Sequence, residues 1–461
     1  MSYNLNPHRI EYRPEIDGLR AIAVISVIFF HSQLEFFSGG FLGVTIFFVI
    51  SGYLITNILQ KELIKTGTIS LLIFYKRRIR RLIPLLLFII LISIPFSLYY
   101  LLPISLIDFS KSIISSLFYV SNIYFWFSGE VYGAESNYLK PFLHTWSLSI
   151  EEQFYIFFPI IILLLFKFLR QFIFISLVGV FILSLCFFFY TNYNHPVFSF
   201  YFIFSRAWEI LAGCLIAIHN TKKNLKNFNN NYNKFFPIFG LLLIIFSILF
   251  YNEEFLGGTF FSILVVLGTS LILLFFSNTS IFINFLCHKY IVYVGLISYS
   301  LYLWHYPVLT YFKIAEIKFN FFIYFFITFL FSMISFKYIE TPFRYNKIKN
   351  NFVYLFLIYI LISCFCFYAI QSEGIKKRYH SIFHDQLFTY DIWNKLKDKN
   401  GDYCHNKFNG CYFDKGSSKN IIIIGDSYAA SIMNDLYLTS RLDNFNFKTF
   451  TMEGCFFYPG F

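Results

Sequence analysis

Long apolar runs recur along this chain, separated by short polar loops. About 20 consecutive apolar residues cross the roughly 30 Å of hydrocarbon in a bilayer. Eleven stretches meet that length: 17–35, 41–59, 82–102, 148–166, 172–190, 199–218, 235–251, 258–277, 290–312, 320–339 and 352–370. A twelfth, 110–127, is interrupted by Ser110, Ser112, Ser115, Ser116, Ser121 and Asn122. Past residue 370 the pattern changes to the mixed polar content of a soluble domain. There Ile421 to Ile424 run into Gly425-Asp426-Ser427, which reads as a buried parallel strand feeding a turn and a helix. A second strand is expected at 445–451. The pattern predicts an α-helical polytopic membrane protein, about ten core spans plus one linking span, followed by an incomplete α/β domain. The boundaries fall at 1–345, 346–375 and 376–461.

Composition agrees. Hydrophobic residues make up 57% of the 461 positions and charged residues 13%, against about 25% charged in soluble proteins. This excludes a disordered chain, a disulfide-built mini-protein and an ordinary soluble enzyme. The net charge of +12 sorts by topology, because Lys and Arg favour cytoplasmic loops. With Arg9, Arg13 and Arg20 inside, the basic loop 61–81 is also inside. Later basic loops follow only if 110–127 does not cross, so that stretch reads as a re-entrant or interfacial helix. The N-terminus is then cytoplasmic and the tail extracytoplasmic. The first apolar run lacks a small-residue cleavage site and is not a signal peptide. No basic cluster on a soluble domain points to nucleic acid.

Ionisable groups inside spans are costly and mark functional candidates. His31 lies 11 residues beyond Arg20, roughly 16 Å along a helix. A neutral imidazole there is either a general base or a structural His held by a neighbouring hydroxyl. Arg77, Arg78, Arg80 and Arg81 precede Pro84. They are either a basic stop-transfer cluster or, as an i,i+3 pair, a clamp for phosphates such as those of a coenzyme A thioester. Glu151 and Glu152 open a span, which suits the helix dipole or a role in acceptor binding or proton relay. Arg206 and Glu209 are most simply an intrahelical ion pair. His305 is open to a structural reading before Pro307. No metal-ligand spacing is present. The short Cys404/Cys411 separation favours a disulfide between them.

Seven blocks now stand in one order: Arg13 to Ala21 with His31, Gly39 to Val44, Phe47 to Ile55, the arginine cluster before Pro84, His144 to Tyr155, Ser298 to Pro307, and Glu340 to Arg344. Through them the chain resembles membrane acyltransferase family 3, bacterial O-acetyltransferases that decorate cell-surface glycans. Its tail is similar to the SGNH hydrolase-like domain often fused to that family, through Gly425-Asp426-Ser427 and Gly454-Cys455. The resemblance implies a central catalytic role for His31 with Arg20 beside it. It maps the family's Arg-x-x-Arg element to Arg78 and Arg81, with Arg77 and Arg80 as the competing register. Glu151 matches the family's acidic position, with Glu152 its rival, and Ser427 the SGNH nucleophile. Tyr428 stands where relatives commonly have His. The catalytic Asp-x-x-His of an SGNH fold is missing after Ser427, and His380, His384 and His405 precede it. A separate polypeptide completing the domain is one expectation.

The implied function is an O-acyltransferase, with acetyl as the expected group. It would carry that group from cytoplasmic acyl-CoA to a hydroxyl of lipopolysaccharide O-antigen, exopolysaccharide or peptidoglycan, free or lipid-linked. Acetyl-CoA is a co-substrate, and no tightly bound cofactor is expected. Two rivals share the composition: a flippase for a lipid-linked glycan and a non-functional remnant.

Overall fold

The computed structural model describes residues 12–129, 139–222, 232–252, 258–275, 285–345, 348, 351–378, 396–398, 400–404, 407, 409–425, 429–430 and 445–451. It forms two compact units, one through Gly374 and one from Ile375.

The first unit is helical throughout its described residues. Its elements are α1 (Pro14–His31), α2 (Gly43–Thr66), α3 (Leu71–Tyr100), α4 (Pro103–Leu117), α5 (Ser121–Gly129), α6 (Thr145–Phe168), α7 (Ile173–Asn194) and α8 (Pro196–Tyr201). They continue with α9 (Ile203–Lys222), α10 (Tyr232–Leu249), α11 (Thr259–Phe275), α12 (Lys289–Leu296), α13 (Ser298–Ile314), α14 (Phe321–Ser335) and α15 (Asn351–Gln371). Each of the eleven apolar stretches is helical. Six helical segments are long and apolar enough to cross a membrane: Gly40–Thr66, Leu71–Tyr100, Thr145–Phe168, Arg170–Asn194, Phe321–Arg344 and Phe352–Gln371. The other five are shorter, more polar or broken. The stretch 290–312 divides at Ile297 and 199–218 divides at Phe202.

Burial separates centre from rim. Of the apolar window in Gly40–Thr66, 78% is buried, against 17% in Arg170–Asn194. A helix of the second kind presents its Leu and Phe side chains to lipid rather than to protein. At the centre α2 and α9 touch backbone to backbone. A Cβ on Gly52 would sit 1.9 Å from the Ile210 carbonyl oxygen, and one on Gly213 equally close to that of Val49. Small residues allow such contacts in lipid, where close packing replaces the hydrophobic drive.

The stretch 110–127 is two short helices, α4 and α5. Neither is long enough to span. Tyr119 adopts a left-handed φ of 56° between them, while the Tyr119 and Val120 amides donate back to Ser116 and Ser115 carbonyls. This double return closes the end of a helix. The same cap ends α1 at Gln33, φ 59°, through Gln33 to Phe30 and Leu34 to Phe29. The first helix therefore stops at His31, four residues short of the expected 35, and puts His31 in its last turn. Neither cap uses the glycine that would have signalled it. The serines of α4 and α5 bond across to α6: Ser116 with Thr145 at 2.7 Å, Ser121 with Ser149 at 2.7 Å, and Gln153 Nε2 to the Asn122 Oδ1 at 2.9 Å.

In the second unit β1 (Cys411–Phe413) pairs antiparallel with β3 (Asn446–Thr451), and β3 pairs parallel with β2 (Asn420–Gly425). The parallel strand is as expected, but it is not buried. Ile421 and Ile423 pack with Phe413 and Phe447, whereas Ile422 is 62% and Ile424 48% exposed. With one covered face among the described residues, a strand alternates instead of burying both sides. Cys404 and Cys411 form the disulfide. The Lys407 ammonium donates to Asp398 and holds that carboxyl below the usual carboxylate range.

Replacing Gly52 with Leu drives a side chain into the Ile210 carbonyl. Thermal unfolding in detergent should register a loss of about 1–3 kcal/mol or more, while Gly179→Leu, where a Cβ meets nothing within 4 Å, should stay near wild type.

Candidate active site

Helices α1, α2, α3, α6 and α13 converge on a cavity of about 380 Å³. Each lends one helical face, read at spacings of three and four residues. From α1 come Asp17 and Arg20, preceded by Arg13; from α3, Arg78 and Arg81; from α6, Ser147, Leu148, Glu151 and Tyr155; from α13, Ser298, Tyr299 and Tyr302. Glu340 and Arg344 enter from the far end of α14. There the helix widens into a π-turn at Phe336–Glu340, a distortion that recurs at functional sites. The turn seats Glu340 where Ser300 Oγ donates to it at 2.9 Å.

Five arginines and three carboxylates line this space: Arg13, Arg20, Arg78, Arg81 and Arg344 against Asp17, Glu151 and Glu340. Arg20 pairs with Asp17 at 3.2 Å and Arg344 with Glu340 at 3.9 Å. Arg13 is engaged by Glu15, by the Tyr53 hydroxyl and by the Leu273 carbonyl. Arg78 and Arg81 make no ion pair within 4.0 Å among the described residues. Arg78 instead lies over the Tyr155 ring at 5.2 Å and the Phe74 ring at 5.5 Å. The positive excess thus sits on the i,i+3 pair of α3. The competing register points elsewhere: Arg77 is exposed and Arg80 stacks over Phe352 at 5.1 Å.

Glu151 lines the cavity and accepts from Ser51 Oγ at 3.2 Å and from the Tyr155 hydroxyl at 3.3 Å. A carboxylate offers about four lone-pair sites, so it keeps capacity for a ligand. Glu152, its neighbour, is buried and does not line the cavity.

His31 does not line the cavity. It lies beyond Tyr302, in a cluster that the sequence pattern did not assemble. Its ring is 5.2 Å from that of His305 and 4.9 Å from that of Tyr306. The His144 ring is 5.3 Å from His305 and 5.5 Å from Tyr302. Tyr302 joins the two regions: its hydroxyl meets Ser147 Oγ at 2.6 Å and donates to the His144 carbonyl at 2.9 Å. The His31 Nδ1 lies 3.0 Å from the Val27 carbonyl. A carbonyl only accepts, so that nitrogen carries the proton and Nε2 keeps the lone pair. Four of the six expected site residues, Arg20, Arg78, Arg81 and Glu151, share the cavity. His31 is a ring or two behind its wall, and Ser427 lies outside the described residues. His144 and His305 were within quoted blocks, but an imidazole at a helix start and one before a proline carry no signal of meeting.

Comparison with known sequences settles the family. The profile of a family described as an acyltransferase domain matches residues 13–339. The chain belongs to membrane acyltransferase family 3. Among curated proteins, the chain is 36% identical over 357 residues to the O-acetyltransferase OatA of Staphylococcus aureus, strains NCTC 8325 / PS 47 and MRSA252. The match covers 73% of this chain and 58% of each relative, so the chain spans less than two thirds of their length. No solved structure matches. The matched segment contains the cavity-lining Arg20, Arg78, Arg81 and Glu151 together with His31, His144 and His305.

The unpaired guanidiniums predict anion binding with a defined register. Arg81→Ala should weaken binding of inorganic pyrophosphate, used as a probe anion, about tenfold or more, as loss of a charge-assisted bond does. Arg77→Ala should leave it within about twofold, both read by calorimetry on the detergent-purified protein.

Proposed function

We propose that this acyltransferase moves an acyl group, acetyl in the simplest case, from cytoplasmic acyl-CoA to a hydroxyl of an extracytoplasmic glycan. Lipopolysaccharide O-antigen, exopolysaccharide and peptidoglycan are the acceptor classes. The observation that carries the reading is the juxtaposition of an arginine-rich cavity with an imidazole cluster across Tyr302. In it, Arg78 and Arg81 hold donor phosphates, with Arg20 and Arg344 adding positive field. Phe47, Leu54, Ile58 and Leu148 supply apolar wall for the donor's arm. The free lone pairs of Glu151 accept from an amide N–H of that arm.

At the chemical step the lone pair on His31 Nε2 takes the proton of the attacking hydroxyl. The new C–O bond forms as the C–S bond breaks, and the imidazolium returns its proton to the departing thiolate. Atoms and charge then balance with no further reactant. The enzyme sits in the bacterial inner membrane, its N-terminus in the cytoplasm, and the membrane unit alone supplies these groups. Ser427, outside the described residues, is a second acceptor for the acyl group on the outer side.

Proteoliposomes given radiolabelled acetyl-CoA and de-O-acetylated peptidoglycan fragments test this. Wild type should release coenzyme A and label the glycan, and His31→Ala should fall by about 10²–10⁴-fold. Undiminished release in that variant overturns the assignment of the base. Separately, Glu151→Gln should raise the KM for acetyl-CoA more than it lowers kcat, by about three- to tenfold, measured in the same vesicles.

A further inference from the structure

Three imidazoles lie together, the His305 ring 5.2 Å from that of His31 and 5.3 Å from that of His144, among the rings of Tyr302 and Tyr306. His305 Nδ1 bonds the Tyr302 carbonyl, so its Nε2 holds a lone pair. That atom is wholly buried and has no hydrogen-bond partner. His31 repeats the arrangement, with Nδ1 committed to Val27 and Nε2 open. His144 is 2% exposed and neither ring nitrogen meets the geometry of a hydrogen bond, although the Leu303 backbone lies close enough to interact with the ring. Among the described residues no carboxylate lies within 4.0 Å of these rings, and no group of three or more His, Cys, Asp or Glu has the placement to hold a metal ion.

A buried acceptor without a donor costs the full desolvation of that atom. The missing partner therefore donates a hydrogen to Nε2 of His305 or His31, and its other side accepts the N–H of His144. A hydroxyl does both. A carbonyl or carboxylate oxygen cannot donate, and an ammonium cannot accept. The frame around the cluster is fixed in advance: the Tyr324 hydroxyl donates to the His305 carbonyl at 3.2 Å, and the Tyr302 hydroxyl to that of His144.

We propose that His305 and His144, together with Nε2 of His31, form the seat of the acceptor's reacting hydroxyl. This rests on the reading of His31 as the base. In the ground state His305 Nε2 accepts the hydroxyl's hydrogen bond and His144 donates to its oxygen, which holds the hydroxyl where His31 Nε2 takes its proton as the C–O bond forms. The donor cavity and the acceptor seat then lie on either side of Tyr302.

The test is a pair of variants that divide the two nitrogens of His305. His305→Asn keeps an N–H near the Nδ1 position for the Tyr302 carbonyl and loses the outer acceptor. His305→Gln places an oxygen near Nε2 instead. In proteoliposomes with acetyl-CoA and de-O-acetylated peptidoglycan fragments, Asn should lose about 100-fold or more in kcat/KM for the glycan. Gln should recover at least about tenfold over Asn, with the KM for acetyl-CoA within about threefold of wild type in both. Equal loss in the two variants, Asn above Gln, or no loss in either overturns the seat. If His305→Asn gives no cooperative melt, His144→Gln takes its place. It should cost about tenfold or more in glycan kcat/KM with the acetyl-CoA KM unchanged, and a loss under about threefold overturns the proposal. Transfer that persists in His31→Ala refutes the base itself and is distinguishable from either result. No transfer by wild type refutes the transferase reading and the seat with it.

Discussion

A polar group carried into the interior of a membrane bundle has to find its partner inside the protein, because hydrocarbon offers none. The rest of this structure is arranged around that constraint. The hydroxyls of α4 and α5 answer it by bonding to α6, Ser116 to Thr145 and Ser121 to Ser149. The backbone answers it at helix ends through the left-handed caps at Gln33 and Tyr119. The charged pair Arg206–Glu209 answers it within one helix at 3.0 Å, with the guanidinium near Phe48, Trp146 and Phe200. Where the requirement is met, the residue is part of the scaffold. Arg78 and Arg81, without an ion pair among the described residues, and the unbonded imidazole nitrogens of His144 and His305 stand apart from that scaffold in lying together around Tyr302.

The two open regions differ in kind. One is an arginine field, partly neutralised by Asp17 and Glu340, suited to a multiply charged anion. The other is a neutral cluster of His31, His144 and His305 ringed by Tyr302 and Tyr306, suited to a neutral hydroxyl. Separation of charge handling from proton handling follows from what each ligand needs. A multiply charged anion needs the guanidiniums that line the cavity, whereas a neutral hydroxyl needs only a donor and an acceptor. Tyr302 stands between them, on the same helix as Tyr299 and His305, so α13 is the element common to both.

The second unit is built on other terms. Among the described residues, three strands pack with a core of Cys404, Cys411, Leu396 and Phe447, and a disulfide closes the seven-residue separation between its two cysteines. The exposed Ile422 and Ile424 belong to this limited layering: the sheet has one side covered among the described residues, and the strand alternates accordingly.

Much of this was legible in the residues. Apolar runs of the right length place the helices, because one helix must satisfy its own backbone across the bilayer. The serines of 110–127 showed that this stretch differs from its neighbours, and the i,i+3 spacing of Arg78 and Arg81 put them on one face. Cys404 and Cys411 were close enough in sequence to pair. The family blocks named His31, Arg20 and Glu151. What the sequence could not decide was anything that depends on which helix lies beside which. Arg77/Arg80 and Arg78/Arg81 have the same spacing, and only the packing of α3 against α6 and α15 selects one for the cavity and sends the other to Phe352. His144 and His305 are 161 positions apart and meet only because α6 and α13 do. The end of α1 at His31 is set by a hydrogen-bonded cap on a glutamine, which no glycine announced. Local periodicity is a property of the chain. The company a buried polar group keeps is a property of the fold.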